Sequence, residues 1–324
     1  MCICIAEDNS CAPKIRIVQL CMKEINRLNV VANIWGQDEN FMKYSVMNWI
    51  YGNEPIEKTL NRLSKLGYDG ISIKGEPDQY DPTKVRKLLE KYKLEAASID
   101  GIYPWPTKER DLANPDERVR KRAVEYLRKC TDFASAVGAP LVVVVPSPVG
   151  KTKPLAPREK EREWAVESVR KVAEYALEKG IEVAVEPINR YETHLLNNAE
   201  QALEFAKEVA AENVKIMLDC FHMNIEEADP ASAIRRAGRM LIHMHVADSN
   251  RQSVGRGHTD FKSILRALKE IGYERYLAME PLPPLADPYD ALTKQVCPEL
   301  FDIYAEECIT GLKSIERTLS PPKV

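Results

Sequence analysis

Short runs of β-branched and apolar residues alternate with longer amphipathic stretches from about Met42 to the end of the chain. This alternation is typical of repeated βα units that form a parallel sheet. The predicted strands are Lys43–Trp49, Gly70–Lys74, Glu95–Ile99, Leu141–Val145, Glu182–Glu186, Val214–Asp219, Leu241–Val246 and Arg275–Glu280. Several of the stretches between them open with proline or aspartate and close with glycine, as helices do. The predicted helices include Pro55–Leu66, Pro115–Val137, Pro157–Gly180, Ala199–Ala211 and Phe261–Gly272.

The pattern predicts an α/β fold, a single-domain (β/α)₈ TIM barrel over residues 42–324. An open doubly wound sheet is the alternative, and it would need a glycine-rich phosphate loop directly after a strand. Neither GxGxxG nor GxxxxGK[ST] occurs in the chain, and the glycines of Gly255–Asp260 do not directly follow a predicted strand. The barrel is therefore favoured. The stretch from Pro288 to Thr318 is predicted to be a C-terminal helical segment that covers the barrel or a partner.

Residues 1–41 match no pattern that follows them. We predict that they form an N-terminal extension outside the barrel. Four of the eight cysteines of the chain lie in this segment. A metal-binding appendage is an alternative, but the spacing expected of zinc ligands is absent. With no CxxC pair and no disulfide framework, most of the cysteines are expected to be reduced thiols.

The composition excludes several classes of partner. Apolar residues make up 44% of the chain and charged residues 29%, which is typical of a soluble globular protein with a sizeable core. The net charge of −3 includes no basic stripe, so nucleic acid is a poor candidate partner. The sequence shows neither an apolar stretch of the roughly 20 residues that span a bilayer nor a secretory signal. We therefore expect a cytoplasmic protein that does not bind membranes.

Four consecutive strands are predicted to end in side chains that can bind a metal. These are Glu186, Asp219, His245 and Glu280, and they are separated by 33, 26 and 35 residues, each the length of one βα unit. The carboxyl ends of barrel strands converge on one rim. Three carboxylates and one imidazole favour Mn²⁺, Mg²⁺ or Co²⁺ over a thiolate-type zinc site. An acid at a strand end can instead cap a helix or pair with an arginine, but four in register favour one metal ion.

Other polar residues have simpler interpretations. His243 alternates with His245 on the predicted strand and is interpreted as a structural residue that faces another way. Lys151 and Lys153 lie in the loop after the fourth strand, VPSPVGKTKP. They are interpreted as solvated loop charges, with contact to a phosphate or carboxylate as the alternative.

Several stretches of the chain resemble the ketose 3-epimerases. They are EPINRYETHLLN from Glu186, VKIMLDCFHMNIEE from Val214, HMHVADSNR from His243, GRGHTDF from Gly255 and YLAMEP from Tyr276. The D-tagatose and D-psicose 3-epimerases of this family are xylose-isomerase-like TIM barrels. The resemblance is dense from about Val183 to Pro281 and thin before it. It implies metal-dependent inversion of C3 of a free ketose, with Mn²⁺ as the expected ion, in a homodimer or homotetramer.

The resemblance also implies residue roles. It makes Glu186, Asp219, His245 and Glu280 the metal ligands, with the two glutamates as acid and base in proton transfer through an enediolate. It further implies that three residues contact the sugar: Glu192, His222 and Arg251. A surface ion pair is the alternative for Arg251.

The substrate stays open because two loops depart from the family pattern. The loop VPSPVGKTKP lacks the aromatic residues expected there, and PLPPLADP follows the eighth strand. The alternatives are other metal-dependent proton-transfer enzymes on this barrel: a hydroxy-carbonyl isomerase, a keto-inositol dehydratase or a 3-keto-C-glycoside deglycosylase. Abasic-site endonucleases of related barrels need a zinc cluster and a basic groove, which the sequence does not offer. A catalytically inactive sugar-binding barrel is the non-enzyme alternative, but it predicts loss of ligands, and all four are present.

Overall fold

The computed structural model describes residues 42–284, 288–291 and 293–319. The predicted extension over residues 1–41, with its four cysteines, lies outside these residues. Within them Cys130, Cys220 and Cys308 are free thiols, as expected. No helix in the described part of the chain is long and apolar enough to cross a membrane.

Eight parallel strands close into one barrel in the order β1 to β8. They are β1 Lys43–Met47, β2 Gly70–Gly75, β3 Glu95–Gly101, β4 Leu141–Val144, β5 Glu182–Val185, β6 Val214–Asp219, β7 Leu241–Val246 and β8 Tyr276–Met279. The predicted TIM barrel is confirmed, and the doubly wound alternative is wrong. The predicted strand boundaries differ from the observed ones by up to two residues. Glu186 and Glu280 therefore lie just after β5 and β8 instead of ending them.

Helices connect the strands around the outside of the barrel. They are α1 Ile56–Leu66, α2 Pro82–Tyr92, α3 Glu117–Val137, α4 Arg158–Glu178, α5 Ala199–Val209, α6 Cys220–Glu226, α7 Pro230–Ala237, α8 Phe261–Glu270, α9 Pro288–Ala291 and α10 Phe301–Leu319. Polar side chains cap several of them: Asp81 accepts the N–H of Thr83 at the start of α2, and Asn198 accepts that of Gln201 at the start of α5. Gly67 ends α1 with φ 75°, a conformation that glycine adopts without strain.

The strands are buried on both faces because helices cover the outside of the barrel and side chains fill its interior. On β4, Val142 and Val144 belong to the large core between strands and helices. Leu141 and Val143, on the other face of the same strand, belong to a smaller cluster with Ala184. Successive strand residues point to opposite faces, so this division follows directly from the period of two.

The C-terminal helix α10 packs on the barrel, as one of the two predicted arrangements requires. Tyr304 and Leu312 are buried. The hydroxyl of Tyr44 on β1 donates to Glu316 Oε2 at 2.6 Å, and that of Tyr68 donates to the backbone oxygen of Ala305 at 2.7 Å. These long-range contacts join the end of the chain to its first βα unit.

Candidate active site

The rim formed by the carboxyl ends of the strands brings the four predicted ligand residues together. Glu186, Asp219, His245 and Glu280 are all buried. Nδ1 of His245 lies 3.6 Å from Glu186 Oε1 and 3.4 Å from Glu280 Oε2. Potential ligand atoms of Asp219, His245 and Glu280 all lie within 4.8 Å of one another, as do those of Glu186, Asp219 and His222. Residues up to 94 positions apart therefore share one small volume.

Strand register explains this convergence. Asp219 on β6 pairs with His245 on β7, and His245 pairs with Ala278 on β8, two residues before Glu280. Asp219 also performs the alternative role of a strand-end acid, because its Oδ1 accepts the backbone N–H of Phe221 at 2.7 Å and caps α6. Its Oδ2 faces the site and lies 3.7 Å from His222 Nε2.

Arg251 joins this group from the loop after β7. Its guanidinium donates to Asp219 and to Glu280, and its side chain is only 15% exposed. The interpretation of Arg251 as a surface ion pair is therefore wrong. Burial opposes the charge on Arg251, but the two carboxylates more than offset this and raise its pKa above its ordinary value.

The loop that carries Arg251 is organised around the carboxylate of Asp248. This carboxylate accepts backbone N–H groups of Ser249 at 2.7 Å, Gly255 at 2.9 Å and Thr259 at 3.0 Å. A Cβ on Gly257 would lie 2.4 Å from Asp248 Oδ1, so only glycine fits there. The stretch GRGHTD thus shapes the loop that places the arginine over the site.

The loop after β5 presents Glu192 beside His222, with Asn189 between them. Asn189 Nδ2 donates to Glu192 Oε1 at 2.7 Å and lies 2.8 Å from His222 Nδ1. The three residues predicted to contact a sugar all line one cavity: Glu192, His222 and Arg251. Three of the four predicted ligands, all except Asp219, line the same cavity. The sequence reasoning missed Asn189, whose only signal is its place in the motif EPINRYE.

The cavity has a volume of about 390 Å³ and is lined by both polar and apolar residues. The polar residues described above form one part of its lining. Loops beyond the strand ends supply apolar walls: Ile102, Tyr103, Pro104, Val149, Leu282, Pro283 and Pro284. The backbone N–H of Val149 donates to the oxygen of Tyr103 at 2.8 Å, which joins two of these loops. A pocket of this size and composition suits a small molecule with one polar reacting end.

Two further residues touch the predicted ligands from parts of the chain that the sequence analysis did not connect to the site. Trp49 Nε1 donates to Glu280 Oε1 from a 3₁₀ turn, Asn48–Tyr51, after β1. Asp100 on β3 lies with its Oδ2 2.8 Å from His245 Nε2. Asp100 directly follows the predicted end of the third strand, so the argument from strand-end acids could have found it. Nothing in the sequence signals the contact of Trp49.

His243 does not face away from His245. Their ring centroids lie 5.4 Å apart, because residues two positions apart on a strand point to the same face. The predicted orientation is therefore wrong. His243 is fully buried one layer deeper, with Nε2 3.4 Å from Ser98 Oγ, and burial lowers its pKa to about 4.

Burial and charge shift the carboxyl groups of the site in different directions. Burial raises the pKa of Glu186 above its ordinary value. Burial acts in the same sense on Glu280, but the charges of Arg251 and His245 outweigh it and lower the pKa of that group. The two carboxyl groups therefore lie in electrostatically different surroundings.

Lys151 is not a solvated loop charge. It is 1% exposed, and its ammonium group lies 2.9 Å from Asp111 Oδ2 and 2.7 Å from Glu161 Oε2. The interpretation made from the sequence is therefore wrong, and the carboxylates that it meets belong to the protein. The preceding residue, Gly150, donates its N–H to the oxygen of Glu192 at 2.7 Å, so this cluster lies directly behind one wall of the cavity. Lys153, two residues further, is exposed.

The residues at the rim fit a divalent metal ion. Nδ1 of His245 is buried and has no hydrogen-bond partner among the described residues, although it lies close to two carboxylates. In the neutral form of the ring this nitrogen can bind a metal through its lone pair. Three carboxylates and one imidazole together are the donor set that hard or borderline ions of this charge prefer.

The chain matches a family model and proteins of known function. A family model described as xylose isomerase-like TIM barrel matches residues 60–294. The L-ribulose 3-epimerase of Methylomonas sp. (strain DH-1) is 35% identical over 225 residues, which cover 69% of this chain and 77% of that protein. The chain belongs to the xylose isomerase-like TIM barrel family, among the ketose 3-epimerases.

Other ketose 3-epimerases agree in sequence and in fold. The D-psicose 3-epimerase of Ruminiclostridium cellulolyticum is 34% identical over 232 residues, which cover 68% of this chain and 76% of that protein. Crystal structures of D-psicose 3-epimerase with D-tagatose from Clostridium cellulolyticum H10 match with a TM-score of 0.76 and 27% identity, over 85% of this chain and 99% of that one. The family resemblance seen in the sequence is confirmed.

Proposed function

We propose that the chain is a metal-dependent sugar epimerase that inverts C3 of a free ketose. Family membership makes it an isomerase of the epimerase type that acts on carbohydrates. One observation supports the finer assignment: two buried carboxyl groups, of Glu186 and Glu280, lie 3.6 Å and 3.4 Å from His245 Nδ1 in the lining of a cavity of sugar size. A pair of carboxyl groups can remove a proton from one face of a carbon and return one to the other.

The proton transfer uses the two glutamates in turn. In one direction the carboxylate of Glu186 takes the C3 proton, and the electrons of the C–H bond move onto the C2 carbonyl oxygen to give an enediolate. Glu280, as the carboxylic acid, then gives its proton to C3 on the opposite face. The two residues exchange these parts in the reverse direction. Burial raises the pKa of Glu186, whereas the charges of Arg251 and His245 outweigh burial and lower that of Glu280, so in the metal-free protein the proton is favoured on Glu186, the state from which the reverse direction starts.

Glu186, Asp219, His245 and Glu280 would hold the metal ion. When bound, a divalent ion, Mn²⁺ foremost and Mg²⁺ or Co²⁺ as alternatives, would act as a Lewis acid toward the substrate oxygens and stabilise developing negative charge. Asp219 contributes in a second way, because it anchors both the start of α6 and the guanidinium of Arg251.

Three residues of the cavity lining would bind the sugar around the reacting carbons. Arg251 and His222 carry donors that can stabilise the charge that develops on the C2 oxygen. Glu192 can accept a hydroxyl hydrogen bond through its carboxylate. Asn189 holds Glu192 and His222 in a fixed relation, so these contacts are organised before the substrate arrives.

The test is proton exchange in D₂O. The purified protein is incubated with a panel of free ketoses, with Mn²⁺ or after EDTA treatment, and deuterium at C3 is followed by NMR. We expect exchange that needs metal, disappears in Glu186→Gln and persists in Glu182→Gln. Glu182 is a matched control because it begins β5, the strand that Glu186 follows, and so lies at the opposite end of the barrel, where it pairs with Arg275. The absence of exchange with every ketose, in protein that binds metal, would rule out the ketose epimerase.

A second candidate acts by the same chemistry on a different substrate. The walls of the cavity that loops supply are apolar, as Ile102, Val149, Pro283 and Pro284 illustrate. An apolar wall favours a keto sugar that carries an apolar substituent, such as the 3-keto-glycoside of a deglycosylase. Including 3-keto-glucosides in the exchange panel distinguishes the two. Exchange next to the carbonyl of the glycoside, with none in free ketoses, would favour this candidate.

The location, partners and oligomeric state of the protein are predictions from the sequence. We predict a cytoplasmic homodimer or homotetramer that binds neither nucleic acid nor membranes. Light scattering coupled to size-exclusion chromatography measures the oligomeric state directly, and a monomeric mass would contradict that prediction.

A further inference from the structure

Asp100 reaches His245 from the opposite side of the barrel. It lies on β3, and His245 lies on β7, four strands away in a ring of eight. Asp100 is 4% exposed and His245 is 3% exposed. Asp100 Oδ2 and His245 Nε2 lie 2.8 Å apart, a normal length for a hydrogen bond to a carboxylate. The contact therefore crosses the interior of the barrel between two largely buried side chains.

The contact leaves the other ring nitrogen of His245 free. A neutral imidazole carries its hydrogen on one nitrogen and a lone pair on the other, and a partner on one nitrogen decides which is which. With Nε2 donating to Asp100, Nδ1 carries the lone pair. That nitrogen has no hydrogen-bond partner among the described residues and lies 3.4 Å from Glu280 and 3.6 Å from Glu186.

We propose that Asp100 is the positioning residue of His245: it holds the ring and its tautomer so that the Nδ1 lone pair points at the metal-binding carboxylates. The inference rests on the proposed function, because it presupposes that these residues bind a metal ion. A carboxylate behind a histidine ligand orients the ring and makes its free nitrogen more basic. Asp100 itself is not a ligand in this arrangement.

A neighbouring pair on the same two strands provides the comparison. Ser98 Oγ lies 3.4 Å from His243 Nε2, a longer contact that involves no carboxylate. Ser98 and Asp100 are two residues apart on β3 and both are buried. A substitution of Ser98 therefore disturbs the same strand without touching His245, which makes Ser98→Ala the matched control.

The experiment measures metal affinity without substrate. The full chain is stripped with EDTA and titrated with Mn²⁺ by calorimetry, as wild type, Asp100→Ala, Asp100→Asn and Ser98→Ala. Removing a partner of this kind typically weakens metal binding about 10- to 100-fold, and we expect that loss in Asp100→Ala. Asp100→Asn keeps the side-chain volume but not the charge, and should weaken binding at least several-fold. Ser98→Ala should bind within about twofold of wild type, because its partner is not a ligand.

A second readout does not depend on metal. Burial opposes protonation of His245, but the neighbouring carboxylates more than offset this and raise its pKa well above its ordinary value, so nitrogen-15 NMR of the metal-free protein is recorded at alkaline pH, where the ring is neutral. The spectra then distinguish the two imidazole tautomers, with the signals of His245 assigned by their absence in His245→Gln. We expect hydrogen on Nε2 in wild type and a mixture of tautomers in Asp100→Ala. Unchanged Mn²⁺ affinity in both Asp100 variants, or a tautomer that does not respond to them, would overturn the inference. If the wild type bound no Mn²⁺, the proposed function would fail, and the tautomer would still decide the role of Asp100.

Discussion

Replacing Lys151 with methionine should destabilise the barrel far more than the same change at an exposed lysine of the same loop. The ammonium group of Lys151 lies between Asp111 Oδ2 at 2.9 Å and Glu161 Oε2 at 2.7 Å, and all three side chains are fully buried. Glu161 Oε2 also lies 3.1 Å from His194 Nε2, and its Oε1 accepts the backbone N–H of Ala156 at 2.9 Å. The cluster joins the loops after β3, β4 and β5.

The size of the effect follows from what the substitution leaves behind. Methionine fills the space of the lysine stem but leaves two carboxylates buried without their cation. Removing one partner of a buried ion pair costs about 3–5 kcal/mol. We expect no more than this, because Asp111 still accepts from Ala113 and Asn114, and Glu161 keeps its backbone donors. For a domain of about 280 residues, each kcal/mol lowers Tm by about 2 °C, so Tm should fall by about 6–10 °C.

Thermal unfolding followed by circular dichroism at one scan rate measures the effect, with urea midpoints at neutral pH as a second measure. Lys153→Met is the matched control, because Lys153 lies in the same loop and is exposed. Surface substitutions of this kind typically change stability by about 0.5 kcal/mol or less. A Tm for Lys151→Met within about 1 °C of that for Lys153→Met would refute the argument that Lys151 holds the cluster together.

The stability and the kinetics of the protein should also respond to pH, to removal of metal and to a change at Asn189. Burial opposes ionisation of Glu161, but its contacts with His194 and Lys151 more than offset this and lower its pKa from 4.5 to about 2. The stability that this carboxylate contributes is therefore present above pH 4.5 and is lost as the pH falls toward 2. The difference in Tm between wild type and Glu161→Gln should shrink over that range, and a constant difference would contradict this argument. Stripping metal with EDTA should lower Tm, and Mn²⁺ at about 100 times its Kd should restore about 2.7 kcal/mol of unfolding free energy. A Tm that changes with neither EDTA nor Mn²⁺ would argue against a metal site. Asn189→Ala should raise KM for the ketose about 5- to 10-fold with a smaller change in kcat, because the variant loses about 1 kcal/mol of hydrogen bonding that positions Glu192 and His222. An unchanged KM in steady-state kinetics would exclude this positioning role.

The sequence was sufficient to predict the barrel and the centre of its rim. Strand and helix periods are local properties, and the repeat of one βα unit places every strand end on the same side of the fold. Glu186, Asp219, His245 and Glu280 could therefore be brought together by counting, without knowledge of any distance. The error at His243 was avoidable by the same rule, since residues two positions apart on a strand share a face.

What surrounds each of these residues was decided by the tertiary structure. Asp100 meets His245 across 145 residues of chain, and Trp49 meets Glu280 across 231. The burial of Lys151 likewise depends on two carboxylates from other segments that close over it. Local periodicity encodes the face on which a side chain lies, whereas its neighbours across the barrel depend on how all eight units close. That closure decided whether a charge near the rim became a solvated lysine or the centre of a buried cluster.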